Sequence, residues 1–146
     1  MEPGRYLVSE GGVLVTNVTQ IRQKHNHRFV GVATGMNTLI RPALYSAWHD
    51  IVNLSFAKKT KCSILPSDNY YEKDTELTTS HVVGPICETA DVLGHSRNLP
   101  KNTAVGDVIL IANAGAYGYV MASNYNMRQP ASEIVIELQE EDFAQE

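Results

Sequence analysis

Two runs of hydrophobic residues near the start of the chain predict a pair of β-strands. Residues 13–22 read VLVTNVTQIR, which is rich in β-branched side chains, and apolar and polar positions alternate loosely from Val18 onward. A polar segment, residues 24–28, separates this run from a second apolar run at residues 29–33. The pattern predicts a β-hairpin, and residues 6–8 (YLV) predict a further short strand before it.

A short helix is predicted after the hairpin. Asn37 is a suitable N-cap, and the apolar positions that follow recur at helical spacing: Ile40, Ala43, Leu44 and Ala47. The same spacing places Arg41 and Tyr45 on a neighbouring face, where a guanidinium and a phenol can converge on one anionic group. An ordinary amphipathic helix with a surface arginine is the alternative interpretation.

The remainder of the chain is predicted to be mainly β. A polar stretch, residues 56–80, predicts a long surface excursion, and the acidic tail at residues 139–146 is expected to be frayed. The other predicted strands lie at residues 51–54, 82–83, 91–94, 98–100, 108–112 and 133–138, of which 108–112 is the most apolar and is expected to be central. Six or seven strands, one or two short helices and no alternating βαβ rhythm predict a β-barrel or sandwich.

Composition limits the class of protein. A chain of 146 residues with 43% hydrophobic content forms one domain, residues 1–146, with a real core. The net charge of −4, with one short lysine-rich run at residues 58–61, argues against nucleic acid as a partner. No apolar stretch approaches the roughly 18 residues that span a bilayer, and no signal sequence opens the chain. We expect no membrane partner and a cytoplasmic location.

Neither the cysteines nor the closely spaced histidines form a metal motif. Cys62 and Cys87 lie outside any CxxC spacing and are expected to be free thiols in a reducing compartment. His25 and His27 have the spacing of two residues on the same face of a strand, but the sequence offers no third ligand nearby. We interpret them as solvated turn residues and predict no metal site.

The candidate chemistry lies at Cys87 and Glu88, which follow the apolar run 82–86. A thiol is mostly protonated at neutral pH, so Cys87 can serve as a proton donor as readily as a nucleophile. The adjacent Glu88 disfavours a thiolate by like-charge repulsion, which favours the thiol as an acid and the carboxylate as a binder of a positive group. A buried structural cysteine beside a surface glutamate is the alternative on these two residues alone.

Two glycine-containing segments are candidates for ligand contact. Residues 2–5 (EPGR) form a turn directly after Met1, which leads us to expect that the chain is a piece of a longer protein and carries part of a site. In residues 113–119 (NAGAYGY), glycines on both sides of an aromatic residue allow the backbone to approach a flat or bulky group.

Five separated segments together resemble one family, and the resemblance runs from residue 2 to about residue 137. They are residues 2–5 (EPGR), 35–45 (GMNTLIRPALY), 84–88 (GPICE), 106–107 (GD), and 114–118 (AGAYG) with 123–126 (SNYN). This set is similar to the C-terminal β domain of the diaminopimelate decarboxylases, which have the alanine-racemase-like decarboxylase fold. Residues 31–37 (GVATGMN) further resemble forms of the enzyme that are fused to an aspartate kinase.

The resemblance implies a pyridoxal-phosphate enzyme that converts meso-diaminopimelate to L-lysine and CO2. In that family a (β/α)8 barrel carries the cofactor and its Schiff-base lysine, and the β domain completes the site. The family forms homodimers with shared active sites, in which the Cys-Glu loop reaches into the partner's barrel. On this basis we expect the barrel to lie outside this chain and the chain alone to be inactive.

The resemblance also assigns roles to individual residues. It places Glu2, Pro3, Gly4 and Arg5 beside the cofactor phosphate, Arg5, Arg41, Tyr45 and Glu88 on the substrate, Tyr117 on both cofactor and substrate, and Cys87 as the proton donor. Two alternatives remain open. One is a decarboxylase of ornithine, arginine or a carboxylated polyamine, although such relatives usually follow the cysteine with aspartate and lack the RPALY run. The other is a non-catalytic regulatory homologue, which loss of the cysteine would mark.

Overall fold

The structure is a computed structural model, and it describes residues 3–57 and 70–137. Six strands form one sheet in the order β3-β6-β1-β2-β4-β5. The strands are β1 (Leu14–Lys24), β2 (His27–Val32), β3 (Ile51–Asn53), β4 (Leu77–Val83), β5 (Val92–Pro100) and β6 (Val108–Ile111). The helices are α1 (Gly4–Val8) and α2 (Arg41–Tyr45), and 3-10 turns span Tyr119–Met121 and Tyr125–Met127.

The predicted hairpin of β1 and β2 is confirmed. The two strands pair antiparallel, with a bulge between Val18 and Gln20 where the register shifts. β6 flanks β1 on the other side and has the sequence VILI, of which all but the first residue are buried. β2 and β4 are the one parallel pair among the described strands, and the long connection between them contains α2 and β3.

The sheet curls so that its two outermost strands, β3 and β5, contact each other. The approach is close at Gly94 of β5, where an added Cβ would lie 2.6 Å from Cδ1 of Ile51 in β3. The enclosed core is aliphatic and consists mainly of Val18, Val30, Val32, Leu39, Val82, Leu93, Leu99, Ile109 and Ile111. The predicted mainly β, barrel-like fold with short helices is therefore confirmed.

The two helices differ from the predictions at their beginnings. Residues 6–8 belong to α1, because Leu7 N–H donates to the carbonyl of Pro3 and no described strand lies beside them. α2 begins at Arg41 rather than at the predicted cap Asn37. Asn37 is buried and donates its side-chain amide to the Arg128 carbonyl at 3.3 Å, so it fixes a distant loop and does not cap the helix.

The predicted excursion over residues 56–80 is wrong at its C-terminal end. Residues 77–80 belong to β4, which pairs with both β2 and β5. Tyr71 is buried, and its hydroxyl accepts a hydrogen bond from the Asn53 backbone at 2.8 Å, so it anchors this part of the excursion on the domain. Residues 58–69, including Cys62, lie outside the described residues, as does the tail from residue 138.

Two strand predictions in the second half of the chain also need correction. Residues 91–94 and 98–100 were predicted as separate pieces, but β5 is continuous from Val92 to Pro100 because an irregularity in its pairing with β4, near Ser96 (φ 52°), absorbs the turn. Residues 133–137 are not a strand. No described strand pairs with them, and Ile134, Val135 and Ile136 are exposed. None of the described helices has the length and hydropathy needed to cross a bilayer.

Candidate active site

α2 presents Arg41 at the edge of the core. Only 7% of Arg41 is exposed, whereas Tyr45, one turn later, is 59% exposed. Nη1 of Arg41 lies 3.1 Å from Nε2 of His49, and Nε of Arg41 has no hydrogen-bond partner within residues 3–57 and 70–137. A buried guanidinium with an unused donor is costly unless a ligand completes its hydrogen bonds. The alternative of a surface arginine on an amphipathic helix is therefore wrong.

Four of the predicted site residues are brought together here, and we call them the arginine cluster: Arg5, Arg41, Tyr45 and Tyr117. Burial lowers the pKa of Arg41, the positive charge of Arg5 lowers it further, and the phenols of Tyr45 and Tyr117 raise it. The backbone of α1 also reaches Tyr117, because a Cβ on Gly4 would lie 3.9 Å from the Tyr117 hydroxyl. The described residues supply no carboxylate in an ion pair with either arginine.

Tyr117 has a backbone conformation that is unusual for its residue type. Its φ is 58°, in the left-handed region, within the loop that follows β6. The neighbouring Gly115 and Gly118 pack so closely against backbone atoms of Val8 and Ala114 that neither could carry a side chain without movement. The glycines thus permit close backbone packing within and beside this loop, and the loop presents a half-exposed tyrosine at the arginine cluster.

The other residues predicted beside the cofactor phosphate lie at the start of α1. Pro3 is its N-terminal cap residue, and Gly4 and Arg5 form its first turn. All three are exposed. Glu2 lies outside the described residues.

The second candidate group lies on the loop of residues 84–91 between β4 and β5, which we call the Cys87 loop. Cys87 is exposed and unpaired, so the alternative of a buried structural cysteine is wrong. Asp91 fixes this loop: its carboxylate is buried and accepts hydrogen bonds from the backbone of Ile86 at 2.6 Å and of Met36 at 2.7 Å. One side chain therefore joins the Cys87 loop to the segment before α2.

The environment of Asp91 combines opposing effects on its pKa. Burial raises the pKa, and it outweighs the two backbone hydrogen bonds and the charge of Arg128, which lower it. The carboxylate fits because Gly35 and Gly84 lie directly against it, and a Cβ on Gly35 would come within 2.7 Å of its oxygens. Both glycines belong to segments that carry the family resemblance, but no packing role was predicted for them.

Glu88, next to Cys87, accepts a hydrogen bond from the hydroxyl of Tyr125. This bond is the first cause of a raised Tyr125 pKa, and the charges of Glu88 and Cys87 add to it. Tyr125 was part of the SNYN segment that carries the family resemblance, but no role was assigned to it. The Cys87 loop thus presents a thiol, a carboxylate and a phenol side by side.

The predicted residues form two groups rather than one. Among the described residues, no hydrogen bond or ion pair joins the arginine cluster to Cys87, Glu88 and Tyr125. The first group can bind anions, since its charged members are two guanidiniums. The second can hold a proton at the thiol and attract a cation through the carboxylate.

Two residues that were not predicted from the sequence support the two groups: His49 contacts Arg41, and Asp91 fixes the Cys87 loop. A third, Arg97, stacks on Trp48 with its guanidinium carbon 3.2 Å from the ring centroid, and its charge acts on His49. For His49 the only available signal was an isolated histidine before β3. Asp91 and Arg97 lie in segments predicted only as short strands or turns. None of these residues belongs to a periodic pattern, and each also has a partner that is distant in sequence: Ala112 for His49, Met36 for Asp91 and Trp48 for Arg97.

A family model described as the C-terminal sheet domain of pyridoxal-dependent decarboxylases matches residues 5–115. The chain belongs to this family. Among curated relatives, it is 40% identical over 136 residues to a diaminopimelate decarboxylase of Pseudomonas fluorescens, and 42% identical over 137 residues to one of Campylobacter jejuni. These matches cover 93% and 94% of this chain but only 28% and 30% of the relatives.

Solved structures give the same result. The diaminopimelate decarboxylase of M. jannaschii in complex with L-lysine matches with a TM-score of 0.71 and 35% identity, over 86% of this chain and 25% of that one. The Helicobacter pylori enzyme, also with L-lysine, matches with a TM-score of 0.67 and 38% identity, over 86% of this chain and 27% of that one. The predicted family and fold are confirmed.

Proposed function

We propose that this chain is the active-site-completing domain of a diaminopimelate decarboxylase, which releases CO2 from meso-diaminopimelate to give L-lysine. One observation carries the proposal. Arg41 is buried, its Nε has no hydrogen-bond partner and it pairs with no carboxylate among the described residues, and it lies within electrostatic range of Arg5 and two phenols. A substrate carboxylate would complete its hydrogen bonds, and diaminopimelate has a second carboxylate that ornithine lacks.

The residues of this chain fit the phosphate of the cofactor that the family implies. Arg5 at the first turn of α1 and the hydroxyl of Tyr117 supply a cation and a hydrogen-bond donor on neighbouring elements. When bound, pyridoxal phosphate supplies an electron sink for the electrons released with CO2. Its Schiff-base lysine would come from the barrel domain outside this chain. This domain contributes phosphate contacts, substrate binding and a proton.

We assign the role of proton donor to Sγ of Cys87. The thiol is exposed on a loop that Asp91 fixes from behind, so it can reach a ligand without rearrangement of the domain. The neighbouring Glu88 is exposed and would bind the second ammonium group of diaminopimelate. Tyr125, which donates to Glu88, orients that carboxylate.

Replacement of the thiol tests the assignment of the proton donor. We expect Cys87→Ala in the full-length enzyme to slow turnover by about two to four orders of magnitude, as for the loss of a general acid, while the cofactor stays bound. Steady-state CO2 release and the absorbance of bound cofactor measure the two effects. An unchanged rate would remove Cys87 from the mechanism.

A homodimer with shared sites is part of the proposal. Its support is the separation of the two groups, since one chain offers an anion-binding cluster and an exposed thiol-carboxylate pair that do not contact each other. In a dimer each cluster would work with the Cys87 loop of the partner. The missing (β/α)8 barrel would carry the remainder of each site, and the enzyme would be cytoplasmic.

The deciding experiment is CO2 release by the full-length protein from meso-diaminopimelate, with ornithine and arginine in parallel, repeated with Arg41→Ala. We expect turnover of diaminopimelate alone and a large rise in its KM in Arg41→Ala. Better turnover of ornithine would keep the fold and Cys87 but assign the enzyme to the rival substrate class. No turnover of any substrate, with cofactor bound, would favour the regulatory homologue.

A further inference from the structure

We propose that His49 is a positioning residue that holds Arg41 in the orientation required to bind the distal carboxylate of the substrate. The inference rests on the proposed function, since it assumes that Arg41 binds that carboxylate. His49 lies between α2 and β3 and is fully buried, at 0% exposed. One ring nitrogen contacts a group that can only accept a hydrogen bond, and the other contacts a group that can only donate one, so the tautomer can be assigned.

The two contacts of the ring determine where its proton lies. Nδ1 lies 2.9 Å from the carbonyl oxygen of Ala112, at the end of β6. A carbonyl accepts only, so Nδ1 carries the hydrogen and donates. Nε2 then has a free lone pair, and it lies 3.1 Å from Nη1 of Arg41, which can only donate. His49 is therefore a neutral imidazole that accepts from the guanidinium.

Burial and the surrounding charges disfavour the protonated ring. Burial lowers the pKa of His49 most, the positive charges of Arg41, Arg97 and Arg5 lower it further, and the Ala112 hydrogen bond raises it. A protonated ring would place a cation against Arg41 and would remove the only side-chain hydrogen-bond acceptor described for it. The ring thus fixes the guanidinium without neutralising it.

The choice of a neutral partner has a consequence for binding. A carboxylate at this position would pair with Arg41 and compete with the substrate, whereas an imidazole orients the guanidinium and leaves its charge for the ligand. Nε of Arg41 is buried and has no partner among the described residues, so the guanidinium keeps hydrogen-bonding capacity that His49 does not use. Because His49 already orients the guanidinium of Arg41, less conformational entropy is lost when the substrate binds. His49 therefore contributes to KM rather than to the proton transfer at Cys87.

Two substitutions separate the two hydrogen bonds of the ring. In His49→Asn, the amide can replace Nδ1 and donate to Ala112, but no acceptor reaches Arg41. In His49→Gln, the longer amide places an acceptor near the position of Nε2, while the bond to Ala112 is lost. Both are made in the full-length decarboxylase. His95→Gln is the matched control, because His95 is exposed on β5, outside both groups of site residues.

We expect His49→Asn to raise the KM for meso-diaminopimelate about tenfold, which is the order of effect of one hydrogen bond to a charged group, with kcat within about twofold. His49→Gln and His95→Gln should stay within about threefold of the unmodified enzyme in KM. A purely structural role would give the reverse order, or equal losses that follow thermal stability. Either of these results would overturn the proposal.

A double substitution separates failure of this inference from failure of the proposed function. If His49 acts through Arg41, His49→Asn adds no further change in KM to Arg41→Ala. If the two effects multiply, or if Arg41→Ala raises KM and His49→Asn does not, the positioning role is wrong. If Arg41→Ala itself leaves KM unchanged, the substrate assignment fails. Should His49→Asn not fold, His49→Gln decides: a rise in KM of tenfold or more overturns the proposal.

Discussion

At the scale of single residues, two arginines in and near the site are buried with incomplete hydrogen bonding. Arg41 and Arg97 are 7% and 5% exposed, and each has at least one guanidinium nitrogen without a partner. Such groups cost free energy in the absence of a ligand or a stacking partner. Arg97 stacks on the ring of Trp48. No aromatic ring among the described residues stacks on Arg41 in this way, so a ligand carboxylate is the partner that its guanidinium needs most.

The bond between Tyr125 and Glu88 predicts an effect on binding without an effect on stability. Tyr125→Phe removes the hydroxyl that orients the Glu88 carboxylate. We expect the KM for meso-diaminopimelate to rise about fivefold, as for the loss of one hydrogen bond that orients a binding group. The melting temperature should change little, because Tyr125 is 46% exposed. Tyr119→Phe, also exposed and outside both groups, is the control, and an equal rise there would contradict the assignment.

His49 predicts how stability depends on pH. Its pKa is lowered in the folded protein by burial and by the charges of Arg41, Arg97 and Arg5, whereas the unfolded chain has the ordinary value near 6.5. Below that pH the unfolded state binds more protons, so the free energy of unfolding is constant above about pH 7 and falls as the pH decreases below 6.5, with a limiting slope of about 1.4 kcal/mol per pH unit.

Urea unfolding at pH 5.0 to 7.5 measures this effect by comparison with His49→Gln. Other histidines, including His81, whose pKa is also lowered by burial, titrate in both proteins and cancel in the difference. We expect the difference in unfolding free energy between the two proteins to shrink as the pH falls from 7 to 5. A difference independent of pH would show that His49 is not held neutral.

Some residues of the site could be predicted from the sequence, and others could not. Cys87, Glu88 and Arg41 were found because they belong to segments with a recognisable order of residue types. Asp91 and His49 were missed because their partners, Met36 and Ala112, are 55 and 63 positions away along the chain. Whether Asp91 is buried and which tautomer His49 adopts depend on contacts made in the folded protein, and no local sequence pattern encodes such contacts.

At the scale of elements, the Cys87 loop depends on how closely two segments approach. A Cβ added to Gly84 would lie 2.5 Å from Cα of Gly35 and would also clash with the Asp91 carboxylate. All three positions are at least partly buried. The loop geometry therefore depends on the absence of side chains at two glycines and on the presence of one carboxylate between them.

Gly84→Ala should destabilise the protein. The added methyl group must displace backbone or the buried carboxylate, which costs about 1–3 kcal/mol in the free energy of unfolding. Urea unfolding measures it, and Gly11→Ala is the control, since the nearest atom to its added Cβ is 3.4 Å away. Comparable stability in the two variants would show that the segment can move apart at little cost.

Elements were predicted well where apolar residues face the core and poorly elsewhere. The runs that became β1, β2, β3 and β6 contain inward-facing apolar residues, and each has a neighbouring strand. Residues 6–8 and 133–137 have the same residue types but are exposed and unpaired among the described residues. Strand propensity reports a tendency to occupy a pleated sheet, so it fails where no neighbouring strand is present.

At the scale of the whole molecule, the chain spans less than a third of the relatives that it matches. Exposed apolar side chains gather on one side, where α1, the loop after β6 and residues 131–136 line a cavity of about 650 Å³. The barrel-like sheet itself could be predicted from alternation and turns, whereas its order β3-β6-β1-β2-β4-β5 could not, because strand order depends on long-range pairing.

We expect the isolated 146-residue chain to form no specific adduct with pyridoxal phosphate, because we propose that the Schiff-base lysine belongs to a barrel domain outside this chain. Incubation with the cofactor, reduction with borohydride and intact-mass analysis should show no stoichiometric single-site product. The full-length protein, treated in the same way, should gain one cofactor per chain. A specific adduct on a lysine of this chain would contradict the proposal that the barrel domain supplies the Schiff-base lysine.

The stacking of Arg97 on Trp48 places an intrinsic fluorophore in this region. Trp48 is the only tryptophan in the chain, it is 66% exposed, and it directly precedes His49. Fluorescence excited at wavelengths that tryptophan absorbs and tyrosine does not therefore comes from one indole in this domain. This indole is next to His49, the histidine that contacts Arg41. In the isolated domain, a titration with small dicarboxylates can be followed by fluorescence at this position without a label.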